Sequence, residues 1–392
     1  MQFLVLVCIV LISAFLTFAM NWLALIPWRR AKDKHWSERA RLYHPARVSA
    51  ASNLWVLPAV TSVSILLWFP ENGPHWAFTA FAASVGAVLG TIAMDREVRP
   101  RVGLSELCRL SALNWVIRFL IWFIFLGAAA LMPSEFNYQT VIITLFVLSL
   151  LVLWTKMGWL QISRCLGLMA PPPERLTTIV KTTAAKMNIP VSQLLLMRSH
   201  SAQAFALPGK QTLLFSERLV EILTDEEISA VCVHELAHLT ESRSDYYKRH
   251  VVWLMFIPWI FLKPMIHTFG VMGFYALLAT TLIAPRIFRR VSHKLEVRAD
   301  SIAHANEPDP GVYARALAKL YEDNLAPAVN SKKRATHPHL YDRLLAAGVT
   351  PDFPRPKPTA AMSWNGIVLS AALGILACML IFQVTDHYSV TH

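Results

Sequence analysis

The chain has 392 residues, of which 55% are hydrophobic and 16% charged, and it carries a net charge of +12. Its mean hydropathy of +0.43 excludes an ordinary soluble globular protein and indicates a polytopic membrane protein. The basic residues collect in short segments beside apolar runs, which points to a lipid bilayer and away from nucleic acid as a partner. The cysteines (Cys8, Cys108, Cys165, Cys232, Cys378) have no paired spacing, so neither a disulfide framework nor a cysteine metal cluster is expected.

In chain order, residues 3 to 28 form the first long apolar run. No basic region precedes it and it is too long for a signal-peptide core, so it reads as an uncleaved span. Further spans are expected at 54 to 70, 75 to 94, 111 to 132, 139 to 158, 251 to 268, 270 to 285 and 364 to 384, which makes about eight in all. RRAKDKHWSERARLYHPAR, read as the loop after the first run, holds seven Lys/Arg, and 95 to 110 holds four (Arg96, Arg99, Arg101, Arg109); ENGP and PSEFNY hold none. Because positive charge stays inside, both termini are expected outside and the polar segment 159 to 250 inside.

Two polar segments, 159 to 250 and 286 to 360, remain to form one domain split by the apolar pair 251 to 285. PPP at 171 to 173 opens it, and Leu176, Ile179, Val180, Ala184 and Met187 mark one face of a helix. QLLLMRS, AFALPG and KQTLLFS read as strands. PDFPRPKP, near the far end, reads as a stiff linker into the last span.

The segment TDEEISAVCVHELAHL, from Thr224 to Leu239, is the most informative part of the chain. Thr224 with Glu227 forms a capping box, and Ile228, Val231, Leu236 and Leu239 have helical spacing. His234 and His238 stand four apart, so both imidazoles leave one face about one turn apart, which suits two ligands of a tetrahedral zinc. Glu235 lies about 100° round the helix, where it can act as general base on a water. Two satisfied histidines on a surface helix would give the same pattern, so context must decide.

A catalytic zinc needs a third protein ligand. SHKLEVRADSIAHA offers Glu296 and Asp300, four apart on one helical face. Either Glu296 binds the metal while Asp300 orients an imidazole, or the two form a solvated acidic pair bridged to Arg298 or Lys294. His293 and His304 are rival ligands.

AFALPG, LTDEEISAVCVHELAHL, EVRAD after a hydrophobic hairpin, and THPHLYDRL together resemble, in that order, the membrane zinc peptidases that include the heat-shock protease HtpX and the CAAX prenyl endopeptidases. The resemblance covers about 160 to 350 and implies one Zn2+ per chain, held by His234, His238 and Glu296, with Glu235 as base and Asp300 behind a ligand. It further implies that Ala204, Phe205 and Ala206 line the substrate groove and that His337 and Arg343 lie close to the site. His337 reads either as a donor to the developing oxyanion or as a turn histidine before Pro338, and Arg343 as a site residue or a structural salt bridge. Gln203 stands where the family usually has Asn, and His293 where Arg is common. Five expected spans ahead of the motif bring the layout closer to the prenyl endopeptidases than to HtpX, and the last span fits neither.

The fold expected is therefore an α-helical polytopic membrane protein with a mainly α cytoplasmic zinc-peptidase domain carrying a small β-sheet, in a bacterial inner membrane. Residues 1–158 form the membrane domain of about five spans; 159–250 and 286–360 are the halves of the peptidase domain; 251–285 is a membrane hairpin; 361–392 holds the last span and an outer tail. The expected reaction is metal-assisted hydrolysis of a peptide bond. His238 lies thirteen residues from Val251, and Arg286 ten from Glu296. These gaps span at most about 20 Å and 15 Å of helix, so the expected substrates are membrane proteins or lipid-linked peptides near the cytoplasmic leaflet. A signal transducer of the β-lactam-receptor kind would need an outer sensor domain, which the short outer loops do not provide. A transporter would place more ionisable residues in its spans than Arg118.

Overall fold

The computed structural model of the protein describes residues 2–68, 75–154, 158–242, 244, 257–307, 309–330, 339–359, 368–369 and 371–376. The described residues are mostly helical, with one small mixed sheet. They divide into two compact units: Met1–Asp33, Leu42–Leu131 and Ala360–His392 make one, Lys34–Arg41 and Met132–Thr359 the other.

The first unit contains α1 (Gln2–Ala24), α2 (Ile26–Arg29), most of α3 (Trp36–Trp68), α4 (His75–Val98) and α5 (Leu104–Leu131). Phe3–Ala24, Phe78–Val98 and Leu104–Leu131 are long and apolar enough to cross a membrane, and Tyr138–Leu153 and Val271–Thr280 are shorter apolar helices. The expected span 54 to 70 falls on the end of α3, whereas most of 364 to 384 and the start of 251 to 268 lie outside the described residues. The basic segment after the first run is not a loop throughout, because α3 already begins at Trp36 and continues through Pro45 and Pro58. Its charges have helical spacing: Glu38 accepts two hydrogen bonds from Arg41 at 2.8 and 2.5 Å, a pair that supports a first turn.

Close backbone approach joins α1 to α4. A Cβ at Gly86 would run into the Val10 carbonyl oxygen, and one at Gly90 into that of Ala14. Small residues four apart allow this contact, which gains dispersion energy where lipid offers no hydrophobic drive. Arg29 grips Glu97 at the end of α4 through two bonds of 2.6 Å, and the Trp115 indole donates to Ser84 Oγ at 3.1 Å to tie α5 to α4.

The second unit runs α6 (Tyr138–Leu153), α7 (Trp159–Cys165), β1 (Met169–Ala170), α8 (Glu174–Lys186), β2 (Gln193–Met197), β3 (Ala204–Leu207), β4 (Thr212–Ser216), α9 (Glu217–Ile222), α10 (Asp225–Leu239), α11 (Leu262–Phe269), α12 (Val271–Ala305), α13 (Val312–Asp323) and α14 (Leu340–Ala346). The sheet order is β1-β2-β4-β3, with β2 parallel to β4 and both outer pairs antiparallel, so β3 is an edge strand. α10 is central. Its Ile228, Val231, Cys232 and Leu236 pack with Leu213 and Phe215 of β4 and Leu176 and Val180 of α8, while Ala230 and Val233 pack with Tyr313, Leu317, Leu340 and Leu344. The capping box at its start is formed in both directions, and Glu227 also holds Lys319 at 2.8 Å.

PDFPRPKP does more than link. Phe353 is buried in the core around α13 and α14, and its ring meets that of Trp36 edge-on at 5.2 Å. The turn between α11 and α12 uses Gly270 at φ +58, a conformation other residues adopt only with strain. Beyond it α12 is one unbroken helix of 35 residues, so the second arm of the expected hairpin and the Glu296 segment are a single element.

Gly86→Leu and Gly90→Leu are expected to destabilise the protein by about 1–3 kcal/mol each, through steric overpacking of α1 against α4. Gly103→Ala serves as the control, because nothing lies within 4 Å of that Cβ position. Thermal denaturation in detergent checks this, and equal melting temperatures for all three variants and the parent would refute the close contact.

Candidate metal centre

α10 presents its functional side chains inward because every residue from Ala230 to Leu239 is buried. His234 and His238 sit one turn apart on it, and α12 crosses it with Glu296. His234 Nε2 lies 3.2 Å from His238 Nε2 and 3.5 Å from Glu296 Oε2, and His238 Nε2 lies 3.8 Å from the same oxygen. Ligands about 2.0–2.1 Å from a tetrahedral ion stand about 3.3 Å apart, so the triangle has the size such an ion requires. Among the described residues these three form the group that can hold a metal.

Each imidazole is oriented from behind. His234 Nδ1 is 2.7 Å from the Tyr313 hydroxyl and 3.2 Å from Asp300 Oδ1. Tyr313 donates to Asp300 at 2.8 Å, and Arg343 Nη2 donates to both Asp300 Oδ1 at 2.5 Å and the Tyr313 oxygen at 2.9 Å. With its own proton given to Asp300, Tyr313 can accept one from Nδ1–H of His234, and that tautomer leaves Nε2 as a lone pair facing Glu296. His238 Nδ1 lies 2.6 Å from Glu241 Oε1.

The electrostatics favour positive charge at this point. Burial works against protonation of His234, yet Asp300 and Glu296 outweigh it and hold its pKa up to about 9. Burial also pushes Asp300 up, but His234 and Arg343 bring it below the ordinary carboxyl value. Glu235 is raised, mainly by burial and further by Glu296, against the opposing pull of His234 and His238. It also takes a hydrogen bond from the Ala206 main chain, which places edge strand β3 beside it.

The residues singled out in the sequence thus fall as follows. His234, His238, Glu235, Glu296, Asp300 and Arg343 come together, with Arg343 reaching Asp300 and Tyr313. Ala204, Phe205 and Ala206 form β3, where Ala206 touches Glu235 and Phe205 is 43% exposed. His337 lies outside the described residues. His304 meets the Tyr313 ring at 5.3 Å, behind His234. Arg298 donates to Thr240 at 2.8 Å. Tyr313 and Glu241 escaped the sequence reading: nothing in YARALAKLY marks its first tyrosine, whereas a carboxylate three residues after His238 was a usable signal.

A buried helix carrying His-Glu-x-x-His, a carboxylate from a second helix at ligand spacing, and an edge strand alongside define the site of a metallopeptidase. Residues 172–348 match the model of peptidase family M48, so this part of the chain is similar to that family of metallopeptidases. No curated protein matches the chain.

Replacing His234, His238 or Glu296 by Ala is expected to strip the purified protein of most of its bound metal, measured by elemental analysis. Stoichiometric metal in Glu296→Ala would remove Glu296 as a ligand.

Proposed function

We propose that the protein is an integral-membrane zinc endopeptidase that cleaves membrane proteins or lipid-linked peptides near the cytoplasmic leaflet. The observation that carries this reading is the convergence of His234, His238 and Glu296 beside Glu235 and the edge of β3. A set of two imidazoles and one carboxylate suits zinc, one ion per chain, with a position left open for chemistry. Zinc held there supplies Lewis acidity, polarising the scissile carbonyl and lowering the pKa of water to about 7.

The rest belongs to the chain. Glu235 accepts the proton of the attacking water and returns it to the leaving amine. β3 offers a sheet edge along which an extended substrate aligns, with Ala204, Phe205 and Ala206 lining its path. Asp300, Tyr313 and Arg343 hold His234 in one tautomer. His337, by the family resemblance, donates to the oxyanion.

Membrane residence is supported by the three long apolar helices among the described residues and by the hairpin next to the site. Phe136, just ahead of α6, meets Phe261 at 6.3 Å, so the hairpin reaches the level of the start of α6 before turning at Gly270. Ile266, Phe269, Val271, Met272 and Tyr275 around that turn are exposed, as lipid-facing side chains are. About eight spans, both termini outside and a cytoplasmic peptidase unit complete the proposed topology.

Glu235→Gln keeps size and hydrogen bonding but removes the base. Cleavage of a membrane-anchored reporter is expected to fall by a factor on the order of 10² to 10⁴ at matched zinc content, and an unchanged rate would remove Glu235 from the role.

For topology, a cysteine at exposed Lys32 is expected to be shielded from an impermeant thiol reagent in intact cells, and one at exposed Ser134 to label. The opposite pattern would invert the orientation.

A further inference from the structure

The two ligand histidines are supported unequally. His234 has partners from three other helices (Asp300 on α12, Tyr313 on α13 and, through both, Arg343 on α14). His238 Nδ1 is hydrogen-bonded to Glu241 Oε1 at 2.6 Å. Glu241 lies just past the end of α10, and its side chain is only 1% exposed.

That carboxylate is held in place by its surroundings. The Glu241 N–H donates to the His238 carbonyl at 3.2 Å, continuing the last turn of α10. The neighbouring Thr240 hydroxyl donates to the Ala237 carbonyl at 2.8 Å and accepts from Arg298 at 2.8 Å, two residues along α12 from Glu296. The turn bearing Glu241 is thus fixed to the helix that supplies the third ligand. A nearly buried carboxylate costs free energy unless it meets a donor or a charge, and Nδ1–H of His238 meets it.

From this geometry we infer that Glu241 is the positioning residue of His238, a second carboxylate behind the metal centre that acts independently of Asp300. It rests on the reading of His234, His238 and Glu296 as metal ligands. Accepting from Nδ1–H fixes the tautomer and ring plane of His238 so that its Nε2 lone pair faces Glu296, and the negative charge makes that nitrogen a stronger donor. Glu241 itself does not touch the ion or the substrate.

The test uses the full chain in detergent, with the zinc dissociation constant measured by competition against a chromophoric chelator. Glu241→Leu is expected to weaken zinc binding by about 10- to 100-fold. Glu241→Gln, whose amide oxygen still accepts from Nδ1–H, should recover part of that loss. The visible spectrum of the cobalt(II)-loaded protein should shift in both variants, a change that a purely space-filling role would not produce. If Glu241→Leu fails to fold, Glu241→Gln decides alone, with a weakening of roughly threefold or more and a shifted cobalt spectrum expected. Affinities and spectra equal to the parent, in a parent that binds one zinc, would overturn the role of Glu241 and leave the metal centre standing. A parent that binds no zinc would overturn the metal centre and this inference with it.

Discussion

Burial of α10 sets the requirement that the rest of the peptidase unit meets. A helix buried from Ala230 to Leu239 that carries two imidazoles and a carboxylate must give each polar atom a partner, since a buried group left unsatisfied costs about 1–3 kcal/mol. The partners come from every side. Asp300 and Tyr313 take Nδ1 of His234, Glu241 takes that of His238, and the Ala206 main chain reaches Glu235. Four carboxylates, Glu235, Glu241, Glu296 and Asp300, share this interior, with Arg343 bonded to one of them. His234, His238 and Glu296 stand close enough together that they could hold a metal ion among these carboxylates.

The same helix that supplies Tyr313 also fixes the edge strand of the sheet. Near the start of α13, Tyr313 stands behind His234; just past its end, Asn324 accepts from the Ala202 N–H at 3.1 Å and donates to the Ala202 carbonyl at 2.7 Å, pinning the chain two residues before β3. Asp323 beside it holds Arg218 at 2.9 Å, and Lys319 reaches Glu227 in the capping box of α10. Metal support and strand position are therefore set by one rigid piece. A change in α13 that leaves every ligand intact would still be felt at both.

Much of the centre was legible because it rests on local rules. The capping box of Thr224 and Glu227, the four-residue spacing of His234 and His238, and the apolar stripes of α8 and α10 are short-range patterns that burial enforces. Glu296 needed the tetrahedral ligand count to be noticed, and spacing alone left it level with a solvated pair. Tyr313 was invisible since its role depends on tertiary placement: on its own helix it is one more apolar position. The basic segment around Glu38 and Arg41 reads as a loop by its Lys/Arg content, although the three-residue spacing of that pair fits the helix it forms, and Phe353 was hidden by the prolines around it. Gly86 and Gly90 were legible in principle, as small residues four apart in an apolar helix.

The unbroken course of α12 reverses the usual order of cause between an apolar arm and the domain beside it. About 37 Å of helix separates Val271 at the turn from Glu296, and a tilt of about 5° over that length would carry one end about 3 Å, as far as the spacing between two ligand atoms. Leu295, Ala299 and Ala303 are buried, and Arg298 is bonded to Thr240, so the end bearing Glu296 is clamped and the apolar end has no independent choice of direction. The heading of the arm is inherited from the packing that keeps Glu296 in reach of the two histidines. Any adjustment at the apolar end would have to be made by side chains around Gly270 and not by swinging the helix.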